Sequence, residues 1–289
     1  MRYCPSLAKK PTSKDAKANK SNPFENPDRD IVIADIPPSD PTHRLILNKF
    51  PIIPNHFMLI TKFYKAQTER LEEDDIQAVY ACLQNWGEQE TKDRRRALFA
   101  FFNSGEHSGA SQQHRHVQFI PVESMAADIP GQKWELLLSK LTTESRDMPF
   151  TYFWSPIPLK PSPAQLHQIY SKLYDSAAAV VRDYNKSNPG KLERQDSDDG
   201  ISTFSYNLAM TTSAMVICPR RSEAMPLKRD DGSDVGFAAL NGTLLAGSMM
   251  VKHQEEWDLL RSRPGILDDV LAAIGIPPEA VEYHSGAKI

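Results

Sequence analysis

The sequence predicts an α+β fold, an antiparallel sheet with helices packed across it, and three observations carry that expectation. Short apolar segments at residues 31–36, 43–48 and 56–61 follow one another across Pro37-Pro38 and Phe50-Pro51, the spacing of neighbouring antiparallel strands. An apolar run at 97–102 turns through a glycine-containing loop and returns as a second apolar run ending at Pro121. Two stretches, 72–86 and 163–184, repeat apolar residues at the 3-and-4 spacing of amphipathic helices.

Taken in order, residues 1–29 are rich in Lys, Pro, Ser and Asn, a composition that favours an extended or mobile arm over a packed element, with an arm draped over the core as the alternative. After the three short strands, the helix at 72–86 has acids in its first turn and buries Ile76, Val79, Tyr80, Leu83 and Trp86. The basic cluster Arg94-Arg95-Arg96 then reads as a solvated loop, with a polyphosphate contact as the alternative. A short helix at 134–141 and a strand at 150–154 precede Pro156, Pro158, Pro161 and Pro163, a stiff connector and the best internal boundary. Ser162 caps the next helix with Pro163 at its first position, and Leu166, Ile169, Leu173, Ala177, Val180 and Tyr184 form its buried stripe. A polar surface loop at 185–200 leads to a second group of strands at 204–212, 214–219, 236–240 and 244–251. A closing helix at 264–274 ends at Gly275.

At 289 residues and 40% hydrophobic, the chain can bury one large core or two fused smaller ones. The net charge of −3 provides no broad cationic field for nucleic acid, so a polyanionic ligand needs a local basic pocket. Three well-separated cysteines, Cys4, Cys82 and Cys218, suit a reducing compartment better than a disulfide framework, and no apolar run reaches transmembrane length. These features predict a cytoplasmic protein, with the nucleus as the alternative, and no membrane partner.

The chemistry concentrates at residues 102–119, F-N-S-G-E-H-S-G-A-S-Q-Q-H-R-H-V-Q-F. On the returning strand His114, His116 and Gln118 share one face, while Arg115, Val117 and Phe119 take the other. Ser108, Gly109, Ala110 and Ser111 are small enough for backbone N–H groups to approach an anion closely, with the Ser111 hydroxyl as a further donor. A neutral imidazole at His116 is then a nucleophile for phosphorus, with His114 holding either its ring or the phosphate by a hydrogen bond. Gln118 offers an amide N–H to a phosphoryl oxygen and no proton. The H-x-H pair is also a transition-metal pattern, but no C-x-x-C pair accompanies it, and no metal site is expected. His107 reads as a turn residue, and His43, His56, His167, His253 and His284 as structural.

The run N-x-G-x3-G-x-S-x2-H-x-H-x-Q from Asn103 to Gln118 resembles the active-site signature of the nucleotidyl-transferase branch of the histidine-triad superfamily. C-P-S-L-A-K-K-P from Cys4, L-N-K-F-P from Leu47, F-F-N-S-G from Phe101, S-Y-N-L-A-M-T from Ser205 and L-L-A-G-S-M-M-V-K from Leu244 resemble, in that order, the fungal diadenosine tetraphosphate phosphorylases, also called ATP adenylyltransferases. Relative to that family the chain begins several tens of residues late.

The resemblance implies two histidine-triad-like halves fused in one chain, residues 30–160 and 161–289, behind the arm at 1–29. It implies phosphorolysis of diadenosine tetraphosphate to ATP and ADP through a nucleotidyl-histidine. Catalysis would fall to His116, Gln118 and His114. Substrate would be held by Asn48 at ribose, Lys49 at polyphosphate, and Asn103, Ser104, Gly105, Gly109, Ala110, Ser111, Gln112 and Gln118 around the phosphate. Asn207, Thr211 and Met215 would line the far end of the groove, with Arg220 near phosphate. Because phosphate is already an anion, a transferase does without the third histidine of the related hydrolases, and Gln118 occupies that place. No resident cofactor is implied beyond a divalent cation such as Mg2+ carried with the nucleotide, and the protein is expected to act as a monomer. The alternatives are a sugar-1-phosphate uridylyltransferase and a dinucleotide-binding protein without turnover.

Overall fold

A computed structural model describes residues 1–9, 22–88, 96–127, 134–143, 147–189, 192 and 200–278. Its strands are β1 (Arg2–Tyr3), β2 (Val32–Ile36), β3 (His43–Leu47), β4 (Phe57–Thr61), β5 (Leu98–Ser104), β6 (His116–Pro121), β7 (Phe153–Pro156), β8 (Ser205–Met210), β9 (Ala214–Arg220), β10 (Ala224–Lys228), β11 (Asp234–Ala239) and β12 (Met250–Val251). Its α-helices, among the described residues, are α1 (Glu73–Glu88), α2 (Val122–Ala126), α3 (Leu137–Thr143), α4 (Pro163–Ser187), α5 (Gln254–Ser262) and α6 (Ile266–Ile274).

Eight strands form one antiparallel sheet in the order β2-β3-β4-β6-β5-β8-β9-β7. The predicted α+β architecture with an antiparallel sheet is therefore the one observed. The two sequence halves meet where β5 pairs with β8, and β7, which precedes the proline connector, pairs with β9. Every residue of β5 is buried, because the strand is covered on both faces. Ala100 and Phe102 enter one core cluster with α1 and α4, whereas Phe99 and Phe101 enter a second with α3, α5 and α6. A third, small cluster of Phe24, Ile46, Met58 and Ile60 lies at the β3–β4 end of the sheet.

Helix α4 starts as its sequence dictates: Ser162 accepts from the Gln165 N–H, Gln165 returns the bond to the Ser162 N–H, and Pro163 takes the first turn. Its stripe of Leu166, Tyr170, Leu173, Ala177, Val181 and Tyr184 is buried against the sheet.

Two expectations are corrected. Residues 244–251 are not a strand. Asn241 caps a 3-10 helix at Gly242–Ala246 by accepting from the Thr243 N–H, Gly247 ends it in the left-handed region at φ 78°, and only Met250–Val251 is extended. Strand β10 and helix α5 occupy segments for which no element was expected. The described parts of the arm follow the alternative reading and lie on the core: β1 pairs in parallel with β12, and Phe24 is buried against Ile46, Met58 and Ile60. Arg94, Arg95 and His284 lie outside the described residues, as does most of the loop at 185–200.

Candidate active site

His116 lies on the sheet face that also carries Met58 and Ile60, opposite Val117 and Phe119, as strand alternation requires. Its Nδ1 is 2.9 Å from the His114 carbonyl oxygen. A carbonyl only accepts, so Nδ1 carries the proton and Nε2 carries the lone pair. The ring is 2% exposed, and burial lowers its pKa from 6.5 to about 4, partly offset by the bond to the His114 carbonyl. At neutral pH it is an uncharged imidazole in a single tautomer. Gln118, two residues on and half-buried, follows on the same face.

His114 is fixed from both ring nitrogens. Nε2–H donates to the Thr61 carbonyl at 2.8 Å, and Nδ1 accepts from the Asn22 side-chain amide at 2.9 Å. Burial also lowers its pKa, so it too is neutral at pH 7. Asn22 belongs to the docked arm, and so does Phe24, whose ring centroid lies 5.1 Å from that of His116 and 5.9 Å from that of His114. The arm therefore walls the histidines, a role that composition alone did not reveal.

The loop between β5 and β6 turns at Gly105 (φ 86°) and Gly109 (φ 78°) around a short 3-10 turn, Glu106–Ser108. A Cβ at Gly105 would lie 2.4 Å from Ser205 Oγ, and one at Gly109 would lie 2.7 Å from Asn241 Cβ, so the loop is seated closely on the second half of the chain. Ser104 is fully buried at the end of β5, Ala110 and Gln112 are partly buried, and Ser111 is exposed. His107 is partly exposed, 3.3 Å from Glu106, in keeping with a turn residue.

Asn103, Asn207 and Arg220 meet in one buried network. The Asn207 amide donates to Asn103 Oδ1 and to the Ser108 carbonyl, each at 2.9 Å, and Asn103 Oδ1 also accepts from the Gly242 N–H at 2.8 Å. Arg220 donates to Asn207 Oδ1 and to the carbonyls of Ile274, Ser222, Glu223 and Leu240. Burial lowers its pKa to about 10. With its donors directed to main-chain carbonyls and Asn207, Arg220 braces the loop rather than facing phosphate, which corrects the expectation for it.

Other expected contacts are not brought to the histidines. Met215 is fully buried in the cluster beneath α4, on the opposite sheet face, and Thr211 accepts from the Ser213 and Ala214 N–H groups at the β8–β9 turn. Asn48 accepts from the Phe50 N–H at 3.0 Å and its amide lies 3.0 Å from His56 Nδ1, so both ends of its side chain serve the turn; Lys49 is exposed beside it.

On the α1–α4 face, Arg115 is 1% exposed and pairs with Asp75 at 2.6 Å, Glu69 at 2.9 Å and Glu72 at 3.1 Å, while Asp75 also meets His43 at 2.8 Å. A cavity of about 370 Å3 opens there between Arg70, Arg115, Tyr170 and Tyr174, across the sheet from His116. No group of three His, Cys, Asp or Glu among the described residues could hold a metal ion. No described helix is long and apolar enough to cross a membrane. Cys4, Cys82 and Cys218 are unpaired.

Two family models match the chain: the Ap4A phosphorylase N-terminal domain over residues 1–134 and the ATP adenylyltransferase C-terminal domain over residues 146–277. Among named relatives, diadenosine 5',5'''-P1,P4-tetraphosphate phosphorylase 2 of Saccharomyces cerevisiae is 27% identical over 300 residues, covering 98% of this chain and 86% of its own. Protein APA1 of the same yeast is 27% identical over 286 residues, covering 95% and 82%. The crystal structure of yeast Ap4A phosphorylase Apa2 superposes with a TM-score of 0.72 at 24% identity, covering 95% of this chain and 84% of that one, and its complex with Ap4A gives 0.70. With one phosphorylase domain model over its first half and one adenylyltransferase domain model over its second, the chain belongs to the Ap4A phosphorylase family.

Proposed function

We propose that this protein is a nucleotidyltransferase that cleaves diadenosine tetraphosphate with inorganic phosphate to ATP and ADP, reversibly, through a nucleotidyl intermediate on His116. The observation that carries the reading is the Nδ1–H bond from His116 to the His114 carbonyl, which leaves Nε2 unprotonated on a ring that burial keeps neutral. Family membership supports the substrate: the S. cerevisiae relative bears the name of the tetraphosphate phosphorylase.

In the first step His116 Nε2 bonds to the α-phosphorus of one adenylate and the bond to the bridging oxygen breaks, releasing ATP. The adduct is an imidazolium whose Nδ1–H remains donated to the His114 carbonyl, which favours the charge as it forms. A phosphate oxygen then attacks the same phosphorus, the P–N bond breaks, ADP leaves, and the neutral ring is restored. Gln118 and the N–H groups of residues 109–111 are the donors for the equatorial phosphoryl oxygens, and positioning accounts for most of the acceleration. Both acceptors, phosphate and the γ-phosphate of ATP in reverse, arrive as anions, so no side chain has to take their proton. The ligands are thus dinucleoside polyphosphate, ATP, ADP and phosphate, with Mg2+ entering on the nucleotide.

The test is to incubate the protein with adenylate-labelled dinucleotide in the absence of phosphate. Acid-labile label should accumulate on the chain as ATP is released, and added phosphate should discharge it as ADP. His116→Ala should do neither, and near wild-type turnover by that variant would move the nucleophile elsewhere. Gln118→His should divert part of the flux from phosphate to water.

A further inference from the structure

The ladder between β5 and β6 runs from Leu98 opposite Pro121 to Phe101 opposite Gln118 and then stops. Continued in the same register, it would set Asn103 opposite His116. Instead β5 continues along β8, with Asn103 opposite Asn207, and the lead-in to β6 takes another neighbour. Ala66 bridges His114, the Gln67 N–H donates to the Gln113 carbonyl at 2.7 Å, and the Arg115 N–H donates to the Lys65 carbonyl at 2.8 Å. His116 therefore sits at a fork, where one strand parts from another and the loop of residues 105–111 begins.

The side chain of Gln67 fills the fork. Its Oε1 accepts the His116 N–H at 2.8 Å, while Nε2 donates to the Asn103 carbonyl at 2.8 Å and to the His116 carbonyl at 3.2 Å. All three residues are at most 3% exposed, so these main-chain groups are out of reach of bulk water and need an internal partner. A primary amide has the donor and acceptor of a peptide unit, and here it stands as the missing rung between two strands. On the other side, β4 holds His116 opposite Ile60.

We propose that Gln67 is a positioning residue for the transfer reaction, fixing the main chain of His116 relative to Asn103 and hence to the phosphate loop. The inference rests on the reading of His116 as the nucleophile. Asn103 is bound through Asn207 to the Ser108 carbonyl, so one chain of hydrogen bonds runs from the nucleophile through Gln67 to the loop. Gln67 touches no reacting atom; it acts on where Nε2 lies. A displacement of about 1 Å from the line of attack costs on the order of a hundredfold in rate.

Gln67→Ala should lower the single-turnover rate of nucleotidyl transfer about 10- to 100-fold while KM for dinucleotide changes less than about threefold. Gln67→Glu separates positioning from folding. Its protonated carboxyl reproduces one acceptor and one donor, whereas the carboxylate cannot donate to either carbonyl. Activity relative to wild type should therefore rise as pH falls from 8 to 6. A merely structural role would lower melting temperature without this acid-dependent recovery. Wild-type kcat in both folded variants would overturn the inference, and so would a raised KM at unchanged kcat, which would make Gln67 a substrate contact. If Gln67→Ala does not fold, the pH response of Gln67→Glu decides. The 15N spectrum of labelled histidine needs no substrate: Gln67→Ala should perturb the single Nδ1–H tautomer of His116, and an unchanged spectrum would count against the proposal. Wild-type protein that releases no ATP would instead sink the functional reading, leaving the spectrum to judge Gln67.

Discussion

The side-chain amide of Asn22 donates to Nδ1 of His114 at 2.9 Å, joining residues 92 positions apart in the chain. Asn22 Oδ1 accepts from the Phe24 N–H at 3.1 Å, which turns the Phe24 ring onto both histidines. The N-terminal segment is thus a wall of the site, and its docking sets the ring that precedes the nucleophile.

Asn22→Ala removes the donor to a buried ring nitrogen and loosens the turn that carries Phe24. Leaving such an acceptor unsatisfied costs about 1–3 kcal/mol. If the site bears that cost, kcat falls roughly 5- to 150-fold. Steady-state kinetics alongside thermal melting will check this; unchanged kcat at unchanged melting temperature would mean that the arm only rests on the sheet.

Protonation of His116 removes the lone pair that the reaction needs. Its pKa is lowered to about 4 by burial, so kcat/KM should stay flat from neutral pH to about pH 5 and fall through about pH 4. Phe24→Ala opens the ring to water and should move this acid limb upward, towards the ordinary 6.5. The same shift links to stability. The folded protein binds fewer protons than the unfolded chain between about pH 4 and 6.5, so this contribution is complete above 6.5, falls as pH drops through the window, and levels off below about 4. A span of that size is worth about 3 kcal/mol. Denaturant midpoints of wild type and His116→Ala, measured from pH 7 to pH 4, should therefore converge as the pH drops.

The alternation of His114, His116 and Gln118 against Arg115, Val117 and Phe119 was legible because a strand has a period of two whatever lies around it. The start of α4 was legible for a similar reason, since Ser162 and Pro163 act within one turn. Asn22 and Gln67 were not legible. Each acts through space on a residue 92 or 49 positions away, and an isolated Asn or Gln carries no local pattern. Strand β9 fails differently: A-M-V-I-C-P-R is buried on both faces, so nothing in its polarity shows that Met215 and Arg220 point to opposite sides of the sheet. Residues 244–251 misled for want of any period, and the capping by Asn241 decided their conformation.

Arg220→Lys tests bracing against phosphate binding. A lysine ammonium has three donors on a flexible stem and cannot reproduce a planar fork that reaches Asn207 and four carbonyls. Several buried acceptors lose a partner, at a cost of about 3 kcal/mol or more in stability. The melting temperature should fall by several degrees with kcat reduced, while the KM for phosphate holds within about threefold. A large rise in that KM without thermal destabilisation would return Arg220 to the phosphate site.

Met215→Leu separates the two faces of the sheet. Met215 is fully buried with Tyr206, Leu208, Met210 and Ile217 in the core beneath α4, away from the face that carries His116. Replacing it with a residue of similar volume should cost less than about 1.5 kcal/mol, because a close-packed core tolerates a change of shape better than a change of volume. Kinetic constants for dinucleotide and phosphate should match wild type once melting confirms the fold. If Met215 lined the nucleotide groove, the same exchange would alter KM, since thioether and branched aliphatic side chains present different surfaces to a ligand. The pair of measurements therefore reads the direction of a side chain on a strand whose sequence is silent about it.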